Sequence, residues 1–346
     1  MQLTQEKPED IETLTDRRIT AIIVNFNGSS ILDDCIRTLI EQTRPCFEIL
    51  LVDNGSTDDS VEVVRTKYPT VRIAQCGTNQ GFAEGNNLGS RIALGDYVVM
   101  VNTDARLHEH CLEKLFDAFT RNPDLAVVQG KVLHYGSDSI VDSVGSLLTP
   151  TGFLFHRQYG KPDSTLARSY VFSAKGVCMM MPRRVYNDLG GFDRDFFAYF
   201  EESDLCWRAW VSGYKVMFVP SSVAYHIGGA TSSKFPKEFV DFHSFKNRIC
   251  SIIKNCELKT LFFMLPLHVV LCLLIAIGFA TKRQRPRAVG ILKALNWNAQ
   301  NLSLTLRKRR IIQLKLRRVD DRKIFSHCMA SPGLSYFRQL LSGYGA

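Results

Sequence analysis

Apolar positions along this chain keep two rhythms. Runs rich in β-branched, aliphatic and aromatic residues at 19–25, 48–53 and 95–101 read as strands, the first and last of them buried, and 71–75 reads as a further strand. Between the first two, Ile31, Cys35, Ile36, Leu39 and Ile40 return at helical spacing, with Ser29 or Ser30 placed to cap the helix. A shorter helix fits 58–67. Strand and helix alternating at this interval predict right-handed crossovers and a mostly parallel sheet with helices on both faces. Further on, Leu107, Cys111, Leu112, Leu115, Phe116 and Phe119 form one stripe, predicting a helix over 107–121, with His108 and His110 off the stripe and solvated. Strands are expected at 126–133, 174–181 and 215–220 and a short helix at 183–189. Residues 134–170 have no clear period and read as a loop region.

A different pattern closes the chain. From Thr260 to Thr281 no residue is charged, which is bilayer-spanning length, although a buried helix of a soluble protein has the same look. Pro266 and His268 near its start argue for a kinked or interfacial helix. The net charge of +9 is concentrated beyond it: 281–346 holds 15 Lys/Arg against Asp320 and Asp321. Lys246, Arg248, Lys254 and Lys259 precede the apolar run, and Lys282, Arg283, Arg285 and Arg287 follow it. A simple crossing would put the two basic flanks on opposite sides, against the positive-inside rule. The expectation is an in-plane or re-entrant anchor at about 260–280 on the cytoplasmic side of the cell membrane. Ala288, Leu292, Leu295, Ala299, Leu302 and Leu306 then make an apolar stripe ahead of Arg307, Lys308, Arg309 and Arg310, as a helix lying on anionic lipid would. No recognition motif accompanies the charge, so no nucleic acid is expected as partner. Ten scattered cysteines without a Cys-x-x-Cys pair read as reduced, mostly buried thiols of a cytosolic compartment. Residues 1–18 are polar and acidic and read as a tail.

The candidate chemistry sits where the apolar runs stop. They end on Asn25-Phe26-Asn27-Gly28, on Asp53-Asn54-Gly55-Ser56-Thr57-Asp58 and on Asn102-Thr103-Asp104. Ligands of open α/β sheets gather beyond the C-terminal ends of the strands. A carboxylate there, Asp104, is placed to hold a divalent cation against nucleotide phosphates; the plainer alternative makes Thr103 or Asp104 a helix cap. Residues 79–89 carry three glycines and three asparagines, suiting a loop where backbone approaches a ligand. Gly-x-Gly-x-x-Gly and P-loop patterns are absent. The strongest signal is 196–208, with Glu201, Glu202 and Asp204 within four residues. Asp204 can pair with Arg208 one turn on. Glu202, flanked by bulky apolar residues, has no cation within helical reach. His226 follows the strand at 215–220, where a lone histidine is usually structural.

Taken in order, Val24-Asn25-Phe26-Asn27, the Asp53–Asp58 segment, Asn79-Gln80-Gly81-Phe82-Ala83 and Val101-Asn102-Thr103-Asp104-Ala105 resemble the inverting family 2 glycosyltransferases, nearest their rhamnosyltransferase-like branch. The resemblance covers about 19–230. It implies the GT-A fold, a nucleotide-diphospho-sugar donor, a glycan or lipid-linked acceptor, and Mg2+ or Mn2+. It implies that Asp53 reads the base in a pocket lined by Asn25 and Asn27, and that Asn54, Gly81, Asn86 and Asn102 also face the nucleotide-sugar. Asp104 matches the last acid of the family's Asp-x-Asp motif and is the implied metal ligand, joined by His226; Asn102 stands where many members carry the first acid. Gly176, Gly191, Phe192 and Asp204 fall on the implied acceptor loop. Glu202 occupies the place of the family's aspartate base, one methylene longer, with Glu201 the alternative base. The implied organisation is a transferase domain over 19–245, its nucleotide-binding half 19–105 and acceptor half 106–245, followed by a membrane-associated helical region at 246–346. A sugar nucleotidyltransferase, or an inactive glycan-binding scaffold on the same fold, are the other readings.

Overall fold

The computed structural model describes residues 17–137, 139–228, 235–333 and 336, so most of the N-terminal tail and the end of the basic tail lie outside it. The first half holds β1 (Ile19–Asn25), α1 (Leu32–Ile40), β2 (Glu48–Asp53), α2 (Ser60–Lys67), β3 (Arg72–Gln75), α3 (Gly81–Ile92) and β4 (Tyr97–Val101). Then come β5 (Ala105–Leu107), α4 (Cys111–Arg121), β6 (Leu125–His134), β7 (Val141–Ser143), β8 (Ser146–Leu148), β9 (Leu154–His156) and β10 (Ser169–Tyr170). β11 (Cys178–Pro182), α5 (Arg183–Asp188), α6 (Glu201–Val211) and β12 (Lys215–His226) complete the sheet domain. Five helices follow: α7 (Lys237–Asn255), α8 (Leu258–Thr281), α9 (Arg285–Gln300), α10 (Leu302–Ile311) and α11 (Asp321–Cys328).

The main sheet runs β10-β12-β6-β11-β4-β1-β2-β3. β3, β2, β1 and β4 are mutually parallel, as are β6 and β12, and β11 is inserted antiparallel between the two sets. Central strands are buried on both faces, which is why their sequences are unbroken apolar runs rather than alternating ones. In β1, Ile19, Ala21 and Ile23 face α1 and α4, while Ile22 faces the layer containing α3 and α6.

Five sequence expectations shift. The stretch 79–89 is not a loop: a helix begins at Gly81, because Gly85 and Gly89 let α3 lie against β1. A Cβ at either would come within 2.7 Å of Val24 or 2.5 Å of Ile22. The helix expected from Leu107 begins only at Cys111, since Ala105–Leu107 pairs with β12, and neither Thr103 nor Asp104 caps it. Residues 134–170 contain four short strands, drawn into order by pairing with β6, with β12 and with each other. At the helix ends, Ser29 and Ser30 do not cap α1, whose N-cap position is Ile31. The strand expected from Ala174 starts at Cys178.

Helix α7 crosses the expected 245/246 boundary and so belongs to both layers. Its Phe245, Ile249 and Ile253 pack with Cys272, Ile275, Ala276 and Phe279 of α8 and with Ala288, Ile291 and Ala294 of α9. Helix α8 has 24 residues and is long and apolar enough to cross a membrane. It buries Met264, His268, Cys272, Ile275 and Phe279, one stripe along most of its length, and exposes Phe262, Phe263, Val270 and Ile277 on the rest. The expected lipid stripe beyond it breaks at Asn301 between two helices. Ala288 packs inward, while Leu292, Leu302 and Leu306 stay exposed. Half of the 307–310 basic cluster is structural: Lys308 pairs with Asp193 and Asp195, and Arg309 donates to the Ile253 and Cys256 carbonyls that end α7.

Candidate active site

Strand β4 delivers Asn102, Thr103 and Asp104 past the C-terminal edge of the sheet. The next residue, Ala105, pairs directly with His226 in the β5–β12 ladder, closing a long sequence gap. His226 Nε2 comes to 3.2 Å from Asp104 Oδ1, and its Nδ1 lies 2.9 Å from Asp142 Oδ2. Lys175 Nζ in turn donates to both Asp142 oxygens at 2.8 and 2.7 Å. All three of Asp104, Asp142 and His226 are buried. Burial alone would raise the Asp142 carboxyl, but His226 and the Lys175 charge hold it far below the usual carboxylate range. Burial works against the His226 cation too, yet the hydrogen bonds to Asp104 and Asp142 carry it above the ordinary imidazole value. Asp142 therefore fixes which ring nitrogen points at Asp104.

The second acidic group arrives on α6. Before it, Phe197, Tyr199 and Phe200 adopt φ of 59°, 70° and 70°, a left-handed conformation that costs each residue about 1–3 kcal/mol. The buried Asn247 of α7 holds this turn: the two N–H groups of its Nδ2 are shared among the carbonyls of Phe196 at 3.0 Å, Ala198 at 2.9 Å and Tyr199 at 2.6 Å. On the other side the turn abuts Gly81, where a Cβ would sit 2.4 Å from the Phe197 carbonyl oxygen. The helix then opens with Glu201 and Glu202 facing a cleft of about 650 Å3. Burial raises the Glu202 carboxyl above its ordinary value, against the pull of nearby N–H groups and of Lys175. Burial and then the neighbouring Glu202 charge drive Glu201 well above its own. One oxygen of each, Oε2, is buried without a hydrogen-bond partner.

The same cleft is lined by Asn54, Gly81, Asn102, Asp104, Gly176, Glu201, Glu202 and His226, so the two acidic groups share one wall-to-wall space. Other expected residues stand apart. Asn25 and Asp53 are register partners at the ends of β1 and β2, and both are buried, while their neighbours Val24, Phe26 and Asn54 line the cleft. Asn25 Nδ2 donates to Ser60 Oγ at 2.8 Å and Ser56 Oγ at 3.0 Å, while Asn27 Oδ1 accepts from Thr57 N at 2.7 Å. Asn86 is spent on the Phe82 carbonyl at 2.9 Å. Gly191 and Phe192 are pinned to α3, where Asn87 Oδ1 accepts the Phe192 N–H at 2.9 Å, and they line a separate cavity. Asp204 is fully buried away from the cleft, bound to Arg208 Nε at 2.9 Å, Ser251 Oγ at 2.8 Å, Asn255 Nδ2 at 2.9 Å and Lys254 Nζ at 3.1 Å. It is the ion pair of the plainer reading, enlarged by α7.

The sequence reading missed Asp142, Lys175 and Asn247. Asp142 sits in the aperiodic segment; Lys175, charged and just ahead of Gly176 and an apolar strand, was the one detectable signal. Lys175 also supplies the cation that Glu202 lacks on its own helix.

Among the described residues no three His, Cys, Asp or Glu side chains converge on a point. A carboxylate and an imidazole nitrogen 3.2 Å apart nonetheless suit a divalent cation that completes its shell with phosphate and water. Asn102 Oδ1, buried and unpartnered on the same cleft wall, adds an acceptor oxygen of the right kind. The residues fit such an ion.

The family model for glycosyl transferase family 2 matches residues 20–190. An N-acetylglucosaminyl-diphospho-decaprenol L-rhamnosyltransferase of Mycobacterium tuberculosis is 24% identical over 249 residues, covering 65% of this chain and 81% of the relative. A solved mannosyltransferase of Pyrobaculum calidifontis, PcManGT in complex with GDP-Man and Mn2+, has a TM-score of 0.52 at 19% identity and covers 89% of each chain. GalNAc-T7, solved with UDP, GalNAc and Mn2+, also has a TM-score of 0.52 at 15% identity, covering 61% of this chain and 43% of its own. At these identities the structural likeness speaks for the fold.

Proposed function

The chain belongs to glycosyl transferase family 2 and is a glycosyltransferase with the GT-A fold, and on that premise we propose a single-displacement, inverting transfer from a nucleotide-diphospho-sugar to a hydroxyl of a lipid-linked glycan. The observation that carries the reading is the opening of Asp104 and His226 onto the same cleft as Glu202. Asp104 and His226, with Asn102 beside them, would hold the divalent cation, which when bound offsets charge on the departing diphosphate. Asp142 keeps His226 Nδ1 engaged so that Nε2 faces the ion. Glu202 takes the acceptor proton: its raised pKa brings it toward the range where a carboxylate works as a base near neutral pH. Burial, and then the Glu202 charge, push the Glu201 carboxyl well above its ordinary value, which favours the neutral form beside Glu202.

The exposed side of α8 supports membrane attachment. A helix that buries one stripe on α7 and α9 and leaves Phe262, Phe263 and Ile277 outside suits lying in the interface better than crossing it. Exposed Lys259, Lys282, Arg283 and Arg285 at its two ends would face anionic headgroups on the cytoplasmic side.

The deciding experiment screens nucleotide-sugars with the purified full chain for cation-dependent donor hydrolysis and transfer, alongside Glu202→Gln. One donor should be consumed, and Glu202→Gln should lose transfer while still binding nucleotide. Undiminished transfer by Glu202→Gln removes the base assignment.

A further inference from the structure

Past Glu202 the cleft reaches helix α7, which lines it with Ser244 and Arg248. Arg248 is 5% exposed. Its guanidinium lies over three aromatic rings, 4.7 Å from the centroid of Phe153, 5.3 Å from Phe200 and 5.4 Å from Phe245. One long hydrogen bond, 3.5 Å, runs from Nη2 to Ser244 Oγ, and the buried Nε and Nη1 have no partner. Among the described residues no carboxylate pairs with it. Asp241 of the same helix is taken by Arg287 through bonds of 2.7 and 2.9 Å.

That is an unusual state for a guanidinium. Arginine stays charged in proteins, and an unpaired buried charge costs several kcal/mol. Cation–π contacts return about 0.5–2 kcal/mol each and leave the N–H edges unanswered. The two other buried cations of α7 are both answered: Lys254 has Asp193 and Asp204 within 3.1 Å, and Lys246 donates to the Asp195 carbonyl at 2.6 Å. Of the two cations lining the cleft, Lys175 is paired with Asp142 and Arg248 has no such answer.

The surroundings indicate what would answer it. Phe153, the ring nearest Arg248, stacks at 4.4 Å on His268 of α8, whose Nδ1 lies 2.7 Å from the Thr151 carbonyl. Arg248 is thus one aromatic ring away from the buried stripe of α8, a helix whose other side is apolar and exposed. A phosphate at Arg248 would sit between α8 and the carboxylates of α6, with apolar surface close by for an attached chain.

We propose that Arg248 is an anion subsite on the acceptor side of the cleft, holding a phosphate of a lipid-linked acceptor while the acceptor hydroxyl meets Glu202. This deepens the transferase reading and rests on it. Guanidinium–phosphate pairing supplies both strength and orientation, so the phosphate would set how far the acceptor enters.

The test is calorimetric titration of the full chain in nonionic detergent with farnesyl phosphate, farnesol and inorganic phosphate, for the wild type, Arg248→Met and Arg248→Lys. The wild type should bind farnesyl phosphate at least tenfold more tightly than farnesol. Arg248→Met should lose that difference while keeping its melting temperature and its farnesol affinity within twofold, and Arg248→Lys should recover part of it. Farnesyl phosphate binding equally well to Arg248→Met, or both ligands weakening together, would overturn the proposal. Inorganic phosphate matching farnesyl phosphate in affinity would also overturn it, since the site would then take a free anion. A wild type that hydrolyses no nucleotide-sugar would sink the transferase reading separately, with the phosphate preference of Arg248 still measured in its own right.

Discussion

Asn247 offers the sharpest check that the turn before α6 is held in place from outside. Replacing it by Ala removes, from a fully buried position, two N–H donors that reach three carbonyls at 3.0, 2.9 and 2.6 Å. The Phe196 carbonyl keeps the Ala198 N–H at 2.6 Å, whereas the carbonyls of Ala198 and Tyr199 lose the Asn247 donor. Leaving a buried acceptor unsatisfied costs about 1–3 kcal/mol, and water in the cleft can replace part of the loss at these two half-buried carbonyls, so Asn247→Ala should lower stability by roughly 1–3 kcal/mol. The three left-handed residues then have less to hold them, and the turn relaxes toward ordinary backbone, carrying Glu201 and Glu202 with it. A displacement of about 1 Å at a reacting group is worth about a hundredfold in rate. Urea unfolding and initial rates, both well below the melting temperature, give the two numbers. Nucleotide affinity should stay within twofold, because the β1–β4 edge is untouched. A loss under about 0.5 kcal/mol, or full transfer by a destabilised variant, would refute the idea that α7 positions the base.

Other outcomes follow from the same geometry. Asp142→Asn keeps size but removes the charge that fixes His226, so cation affinity should weaken about 10–100-fold, read by Mn2+ titration of nucleotide binding. Transfer should fall as pH drops through the Glu202 pKa, which lies above the ordinary glutamate value, and Glu202→Asp should move that limb of the kcat/KM profile. Glu201 is raised above its unfolded value, so it favours the folded state only while protonated and its contribution is lost as pH rises. Glu201→Gln should therefore gain more stability over wild type at pH 8 than at pH 5, measured by melting at both. Phe262 and Phe263 are 76% and 74% exposed. Burying a phenylalanine is worth about 1.5–3 kcal/mol, so replacing both by Asp should cut liposome flotation at least about a hundredfold.

The sheet was legible because strands buried on both faces leave unbroken apolar runs, and Asp104 was legible because such a run stops on it. Helix α3 was misread because its glycines are there for contact with β1, and spacing cannot distinguish a glycine that admits a neighbouring strand from one that frees a loop. Asp142 was invisible, and Lys175 no more than a stray charge ahead of a strand, for a different reason. Each matters only through a partner far along the chain, and Asp142 reaches His226 only because β6 pairs with both β7 and β12. Asp204 shows the opposite case, a carboxylate in a catalytic-looking cluster whose local pairing with Arg208 was already the better guide.

Helix α7 is where these strands of reasoning join. Asn247 fixes the turn that aims the carboxylates, Lys254 neutralises Asp193 and Asp204 behind them, and Arg248 faces the cleft. On its opposite side the same helix buries Phe245, Ile249 and Ile253 against α8 and α9, and Arg309 of α10 satisfies its last carbonyls. The C-terminal region therefore cannot be a detachable anchor. Without α8 and α9 the apolar side of α7 would meet water, and the residues that hold the base would lose their support. With α8 on a bilayer and Glu202 as the base, as proposed above, attachment and catalysis would share this one helix, and whatever pressed on α8 would bear on the turn before Glu202.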